Sequence, residues 1–193
     1  MSDRLYFSCE TRAQTRAGIL AQFGKMLDQF PFSKLARRGP VVRIYAIDHS
    51  EPPMIEREFD LGTQLEPILE AVREFLVDDC AAEIDAYWDL WQWDGDWKLA
   101  PAPVTLACFA PGFQQESNDQ LRIEFGPDAR FLPLANVEGG LRMGESNLKS
   151  MLKFTKDLET SINMTNRRLW SESGANFADV LRETLGNYYA RSC

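Results

Sequence analysis

The tryptophan-rich run AYWDLWQWDGDWKL, residues 86–99, constrains the fold more than any other part of this sequence, because it holds four of the five tryptophans. Aromatic residues are favoured in strands. The dipeptide Asp94-Gly95 is typical of a two-residue hairpin turn. We therefore predict two antiparallel strands that meet at Asp94-Gly95.

The stretch before this turn has a second interpretation. A helix predicted from residue 64 has apolar spacing that continues as far as Trp91, and residues 80–91 contain neither Gly nor Pro to end it. The aromatic residues and the downstream turn favour a strand over residues 80–91. Strand and helix extension both stay open at this point.

A two-residue turn determines which side chains share a face of the hairpin. Gln92 would face Trp97 and Leu90 would face Leu99, and cross-strand partners lie on the same side of a sheet. The predicted core face carries Ile84, Ala86, Trp88, Leu90, Trp97 and Leu99. The predicted opposite face carries Asp85, Tyr87, Asp89, Trp91, Trp93, Asp96 and Lys98.

The second face combines aromatic rings with carboxylates. This combination suits a cationic partner, either a ligand amine or the Lys and Arg side chains of a protein. We predict that the binding residues are Tyr87, Asp89, Trp91, Trp93 and Asp96. The alternative is that the second half of the chain covers Trp91 and Trp93.

Strand-like and helix-like periodicity alternate along the rest of the chain. The predicted order is β-α-β-β-α-β followed by β-β-β-α-β-α, and the third helix starts at Leu148 after a polar loop over residues 135–147. This order predicts an α+β fold of two similar lobes, each an antiparallel or mixed sheet with amphipathic helices packed on it. The first half has the order of a ferredoxin-like unit.

The segment LAPAP, residues 99–103, is the predicted boundary between the halves, because proline is disfavoured in helices and in central strands. It would connect an N-terminal lobe, residues 1–98, to a C-terminal lobe, residues 104–193. One continuous domain is the alternative.

Composition argues against several partners. The net charge is −8, whereas nucleic acids and anionic membranes recruit clustered Lys and Arg. The basic run KLARRG, residues 34–39, is short, and we interpret it as a solvated loop. We expect a cytoplasmic protein, since the sequence lacks both a signal-peptide pattern and an apolar run long enough to cross a membrane.

Catalytic signals are sparse. There is one histidine, His49, and its place beside a proline-containing turn favours an exposed polar role. The four dispersed cysteines are expected to be free thiols rather than a disulfide framework or a zinc site. The glycines at residues 139–144 lack the lysine of a phosphate-binding loop. We therefore expect no cofactor, no metal and no catalytic residue.

Three functional hypotheses follow. The first is a non-catalytic cytoplasmic protein of the inhibitor or immunity type, whose acidic surface neutralises a basic protein partner. The second is a small-molecule sensor that binds a cationic or aromatic ligand between the lobes. The third is a hydrolase that depends on carboxylates.

Overall fold

The computed structural model describes residues 3–115, 117–134 and 137–192. Within these ranges the chain forms seven strands, four α-helices and a short 3-10 helix, Asp128–Phe131. The strands are β1 Arg4–Thr11, β2 Val41–Ala46, β3 Ile55–Glu58, β4 Cys80–Trp93, β5 Trp97–Phe109, β6 Leu121–Pro127 and β7 Met164–Ser171. The helices are α1 Arg16–Gln29, α2 Leu65–Phe75, α3 Gly140–Ser161 and α4 Phe177–Ser192.

The strands form one antiparallel sheet in the order β3-β2-β4-β5-β6-β1-β7. The predicted α+β class is thereby confirmed. The ferredoxin-like order of the first half is not confirmed, because β1 pairs with β6 and β7 of the second half rather than with strands of the first half. The two lobes are not confirmed either, since strands from both halves of the chain belong to this sheet.

The tryptophan-rich run forms the predicted hairpin, and the strand interpretation of residues 80–91 is confirmed. Its register differs from the prediction by one residue: Trp93 pairs with Trp97, and Leu90 pairs with Ala100. The loop therefore has three residues, 94–96, in which Gly95 takes a positive φ of 72° and the Asp94 amide donates to the Asp96 carbonyl at 3.1 Å.

This shift corrects the predicted faces. Trp97 and Leu99 pair with Trp93 and Trp91, so they lie opposite the core face to which the two-residue turn had assigned them. Lys98 pairs with Gln92, so it lies on the side of the core face and not on the opposite face, where it was predicted. The β4 part of the prediction is correct, since alternate residues from Ile84 to Leu90 are buried.

The hydrophobic core lies between one face of the sheet and the first three helices. Trp88 is 5% exposed, and its ring lies within 6.1 Å of the rings of Phe30, Phe125 and Phe154. Small residues such as Ala86 and Ala102 surround it on the sheet and leave room for the indole. Trp88 therefore connects the hairpin to α1, β6 and α3.

The third helix begins at Gly140, eight residues before the predicted start, so part of the predicted polar loop is helical. Residues 135 and 136 of that loop lie outside the described ranges. A side chain at residue 140 would collide with the Leu134 carbonyl at 2.2 Å, so glycine permits this close start. The glycines that indicated a loop instead allow α3 to approach the chain before it.

The predicted boundary, residues 99–103, lies inside β5. Proline is tolerated here because β6 pairs only with residues 105–108 of β5. Among the described strands, Pro101 and Pro103 therefore have a partner on one side only, as at a sheet edge. The division of the chain into 1–98 and 104–193 stays a prediction.

Three of the four cysteines, Cys9, Cys80 and Cys108, are free thiols, as expected, and all three are buried. Burial raises the pKa of the Cys9 and Cys108 thiols to about 12, so both remain protonated at neutral pH. Cys193 lies outside the described residues.

We expect Trp88→Ala to lower the free energy of unfolding by about 3–5 kcal/mol, because it removes a fully packed indole. Trp93→Ala is the matched control: this side chain is 43% exposed, and its loss should cost less than about 1 kcal/mol. Denaturant unfolding measures both variants. Equal losses would contradict the burial difference between the two positions.

Candidate functional site

The sheet has an outer face, opposite α1, α2 and α3, which presents polar and aromatic side chains. The side chains of paired residues form rows across this face, from β2 to β7. One row reads Val41, Asp85, Thr105, Glu124, Tyr6 and Trp170, and the next reads Arg43, Glu83, Ala107, Arg122, Ser8 and Arg168. This face is the candidate site.

Residues 86–93 and 97–104 extend the sheet as a two-stranded arm. β2 pairs only with residues 80–85 of β4, and β6 pairs only with residues 105–108 of β5. The strand register assigns seven aromatic and apolar residues and one aspartate to the outer side of this arm, and we call this set the arm patch. It consists of Tyr87, Asp89, Trp91, Trp93, Trp97, Leu99, Pro101 and Pro103.

Four predicted binding residues belong to the arm patch: Tyr87, Asp89, Trp91 and Trp93. Asp96 lies in the loop at the end of the arm, where its carboxylate accepts a hydrogen bond from the Trp97 amide at 2.8 Å. The structure thus brings the predicted residues together along one arm. Their role in binding stays a prediction.

Exposure differs along the patch. Trp93 is 43% and Leu99 45% exposed, whereas Trp91 and Trp97 are half-buried. The rings of Trp93 and Trp97 lie 5.5 Å apart, and the Trp97 indole N–H donates to the Glu138 carbonyl at 2.8 Å. The segment before α3 therefore holds Trp97 and leaves Trp93 accessible.

Asp89 has a structural role that its sequence context does not indicate. Its carboxylate accepts hydrogen bonds from the Ser33 hydroxyl and from the Lys34 amide, the latter at 2.9 Å. The Ser33 amide in turn donates to the Tyr87 carbonyl at 2.7 Å. These contacts attach the loop after α1 to the edge of β4 that β2 leaves unpaired.

Asn147 on α3 also fixes the arm. Its amide oxygen accepts from the Trp91 amide at 2.9 Å, and its amide nitrogen donates to the carbonyls of Trp91 at 2.9 Å and Arg130 at 2.8 Å. The residue is 2% exposed. Asn147 was missed by sequence reasoning, because a single asparagine among polar residues gives no signal of a long-range partner.

At the centre of the outer face, carboxylates form a network in which arginines neutralise part of the negative charge. Arg43 bonds Glu56 at 2.6 Å and also Asp85, which accepts from the Thr105 hydroxyl at 2.8 Å. Glu124 pairs with Arg4. Burial raises the pKa of Glu124, Arg4 lowers it, and the charges of Glu83 and Asp85 raise it again. The carboxylates of neighbouring strands therefore interact electrostatically.

His49 packs at the far end of this face. Its Nε2 lies 3.0 Å from Glu83 Oε1, and its ring is 4.8 Å from Tyr45 and 4.9 Å from Phe113. The side chain is 38% exposed, as predicted for an exposed polar residue, and its ring lies against a small aromatic cluster around Phe109. These contacts explain a histidine at this position by packing.

A third group of contacts surrounds Asp119, which is 5% exposed. Arg122 and Arg168 approach its carboxylate at 3.5 and 3.4 Å. Arg122 also stacks over Phe109, and Arg168 over Trp170, at 4.8 and 4.9 Å. The guanidinium groups of Arg122 and Arg168 are therefore engaged within the face.

The arrangement is a broad surface rather than a cleft that encloses reacting groups. Across the described ranges, no three His, Cys, Asp or Glu side chains are grouped as metal ligands. In the same part of the chain, no helix is both long and apolar enough to cross a membrane. Comparison with protein-family models, curated proteins and solved structures finds no match for this chain. The inferences that follow therefore rest on geometry.

We expect the carboxyl group of Glu124 to titrate above the usual range for glutamate, and Asp85→Asn to lower its pKa by removing a nearby negative charge. NMR titration of the side-chain carboxyl carbons measures both. Glu145→Gln, on the exposed surface of α3, is the control and should leave the value unchanged. A Glu124 pKa below the usual range would contradict this electrostatic description.

Proposed function

We propose that this protein is a non-catalytic, cytoplasmic protein-binding molecule of the inhibitor or immunity type, and that it binds a basic protein partner through its outer face. The observation that carries the proposal is the arm patch. Tryptophan and tyrosine dominate the energetics of protein interfaces, and here Tyr87, Trp91, Trp93 and Trp97 lie along one arm.

The dimensions of the patch suit a protein better than a small molecule. Eight residues of β4, 86–93, extend for about 26 Å at the usual rise of a strand. Small ligands are usually bound in concave sites that enclose most of their surface. The patch is instead an extended surface, and it continues into the charged rows of the sheet.

Charge supports a basic partner. The loop at the end of the arm presents exposed Asp94 and Asp96. Glu83 and Asp85 lie on β4 and Glu124 lies on β6, and of these Asp85 and Glu124 are paired with arginines. The whole chain carries a net charge of −8. Such a surface accelerates association with a positively charged protein, and salt weakens that effect.

The arm is also held in place before any partner binds. Asn147 bonds both backbone groups of Trp91, and Asp89 bonds the loop at Ser33 and Lys34. An interface that is already ordered loses less conformational entropy on association. This rigidity supports a role in binding rather than a role in moving between conformations.

We expect affinity capture from the native host at low ionic strength to recover a basic protein, and the purified pair to dissociate as salt is raised. Trp93→Ala and Leu99→Ser should each weaken the purified pair by about tenfold or more, because each removes an exposed contact of the patch. Isothermal titration calorimetry measures these affinities.

Leu152→Ser is the matched control, since Leu152 is 49% exposed on α3 while Leu99 is 45% exposed on the arm. It should leave the affinity unchanged. The proposal is wrong if the Leu99 and Trp93 variants bind as tightly as the unmodified protein, or if the captured partner is acidic. Binding of a cationic small molecule at the same patch would favour the sensor hypothesis instead.

A further inference from the structure

The loop over residues 33–38 lies between two grooves, outside the central part of the outer face. The first groove, of about 210 Å³, also borders the start of α2, and the second, of about 370 Å³, reaches Pro101 on the arm. They meet at Ala36, Arg38 and Tyr87, which line both.

The first groove is mainly apolar. Its walls come from the loop, from β4 and from the first turns of α2. The apolar side chains that line it are Phe32, Ala36, Leu61, Leu65, Ile68 and Ala86. The apolar part of a ligand bound here would be transferred out of water and would contact carbon atoms on several sides. This transfer favours binding.

The charges beside the grooves have the opposite sign to most of the protein. Arg38 lines both grooves and Arg37 lines the second, whereas no carboxylate of the described residues lines either. Neither arginine forms an ion pair with any described residue. In a chain with 29 acidic and 21 basic residues, two exposed guanidinium groups without an ion-pair partner among the described residues suit an anionic ligand beside this apolar groove.

The loop that carries these arginines is ordered by its own hydrogen bonds. The Ser33 hydroxyl accepts from the amides of Leu35 and Ala36 at 3.0 and 2.9 Å, while Asp89 binds Ser33 and Lys34. Asp89 is thereby occupied and does not neutralise the guanidinium groups. The basic run is a loop with exposed Lys34, Arg37 and Arg38, as its sequence indicated, and it also forms a wall of both grooves.

We propose that the first groove binds a small amphipathic carboxylate, with its apolar body against Leu61, Leu65 and Ile68 and its carboxylate paired with Arg38. Guanidinium groups bind carboxylates through paired, charge-assisted hydrogen bonds. This proposal involves the loop and α2 rather than the tryptophans of the arm. It can therefore be tested independently of the proposed protein partner.

Octanoate is the probe, with octanol and octyltrimethylammonium as neutral and cationic compounds of the same chain length. Calorimetry on the full chain should detect octanoate binding and only weak binding of the other two. Hexanoate should bind more weakly than octanoate, by about fourfold for each methylene removed.

Two exposed positions test the site by substitution. Arg38→Gln should weaken octanoate binding by about tenfold or more, because it removes the charged partner. Leu61→Glu, at a side chain that is 58% exposed, should also weaken it by placing a negative charge in the groove. Arg142→Gln, on exposed α3, is the control and should bind octanoate normally. Circular dichroism verifies that each variant is folded.

The inference is overturned if octanoate does not bind the unmodified chain, if octanol or the ammonium compound binds equally well, or if Arg38→Gln retains full affinity. Loss of affinity in Arg38→Gln but not in Arg142→Gln supports it. None of these outcomes depends on the arm tryptophans, so the protein-binding proposal is tested separately.

Discussion

The antiparallel pairing of β4 with β5 is the interaction on which the rest of this structure depends. Thirteen residue pairs, from Ala81–Phe109 to Trp93–Trp97, join the two longest strands. β2 and β3 extend the sheet on one side, and β6, β1 and β7 extend it on the other. Because side chains alternate along a strand, this pairing also determines which residues enter the core and which lie on the outer face.

The local pattern of the sequence predicts much of this arrangement. Ile84, Trp88 and Leu90 are buried, as their spacing requires, and Tyr87 and Trp91 lie on the opposite side. The register was not predictable, because an aspartate-glycine pair is compatible with both two- and three-residue loops. The pairing of Trp93 with Trp97 makes the loop three residues long, and this one-residue difference moves Trp97 and Leu99 to the outer side.

Long-range pairing explains the remaining differences. No local signal shows that β1 lies between β6 and β7, more than a hundred residues away. The same holds for the polar contacts around the candidate site. Asn147 bonds Trp91, and Asp89 bonds Ser33, across 56 positions in each case. Sequence reasoning therefore found the aromatic face, but it could not find the residues that hold this face in place.

The hairpin register decides whether one arm can present Trp91, Trp93, Trp97 and Leu99 together, and NMR measures it directly. Cross-strand nuclear Overhauser effects should connect the backbone of Trp88 with Ala102 and that of Leu90 with Ala100. Contacts of Trp88 with Pro101 and of Leu90 with Leu99 would contradict the account. They would return Trp97 and Leu99 to the core face, and the arm patch would lose its residues on β5.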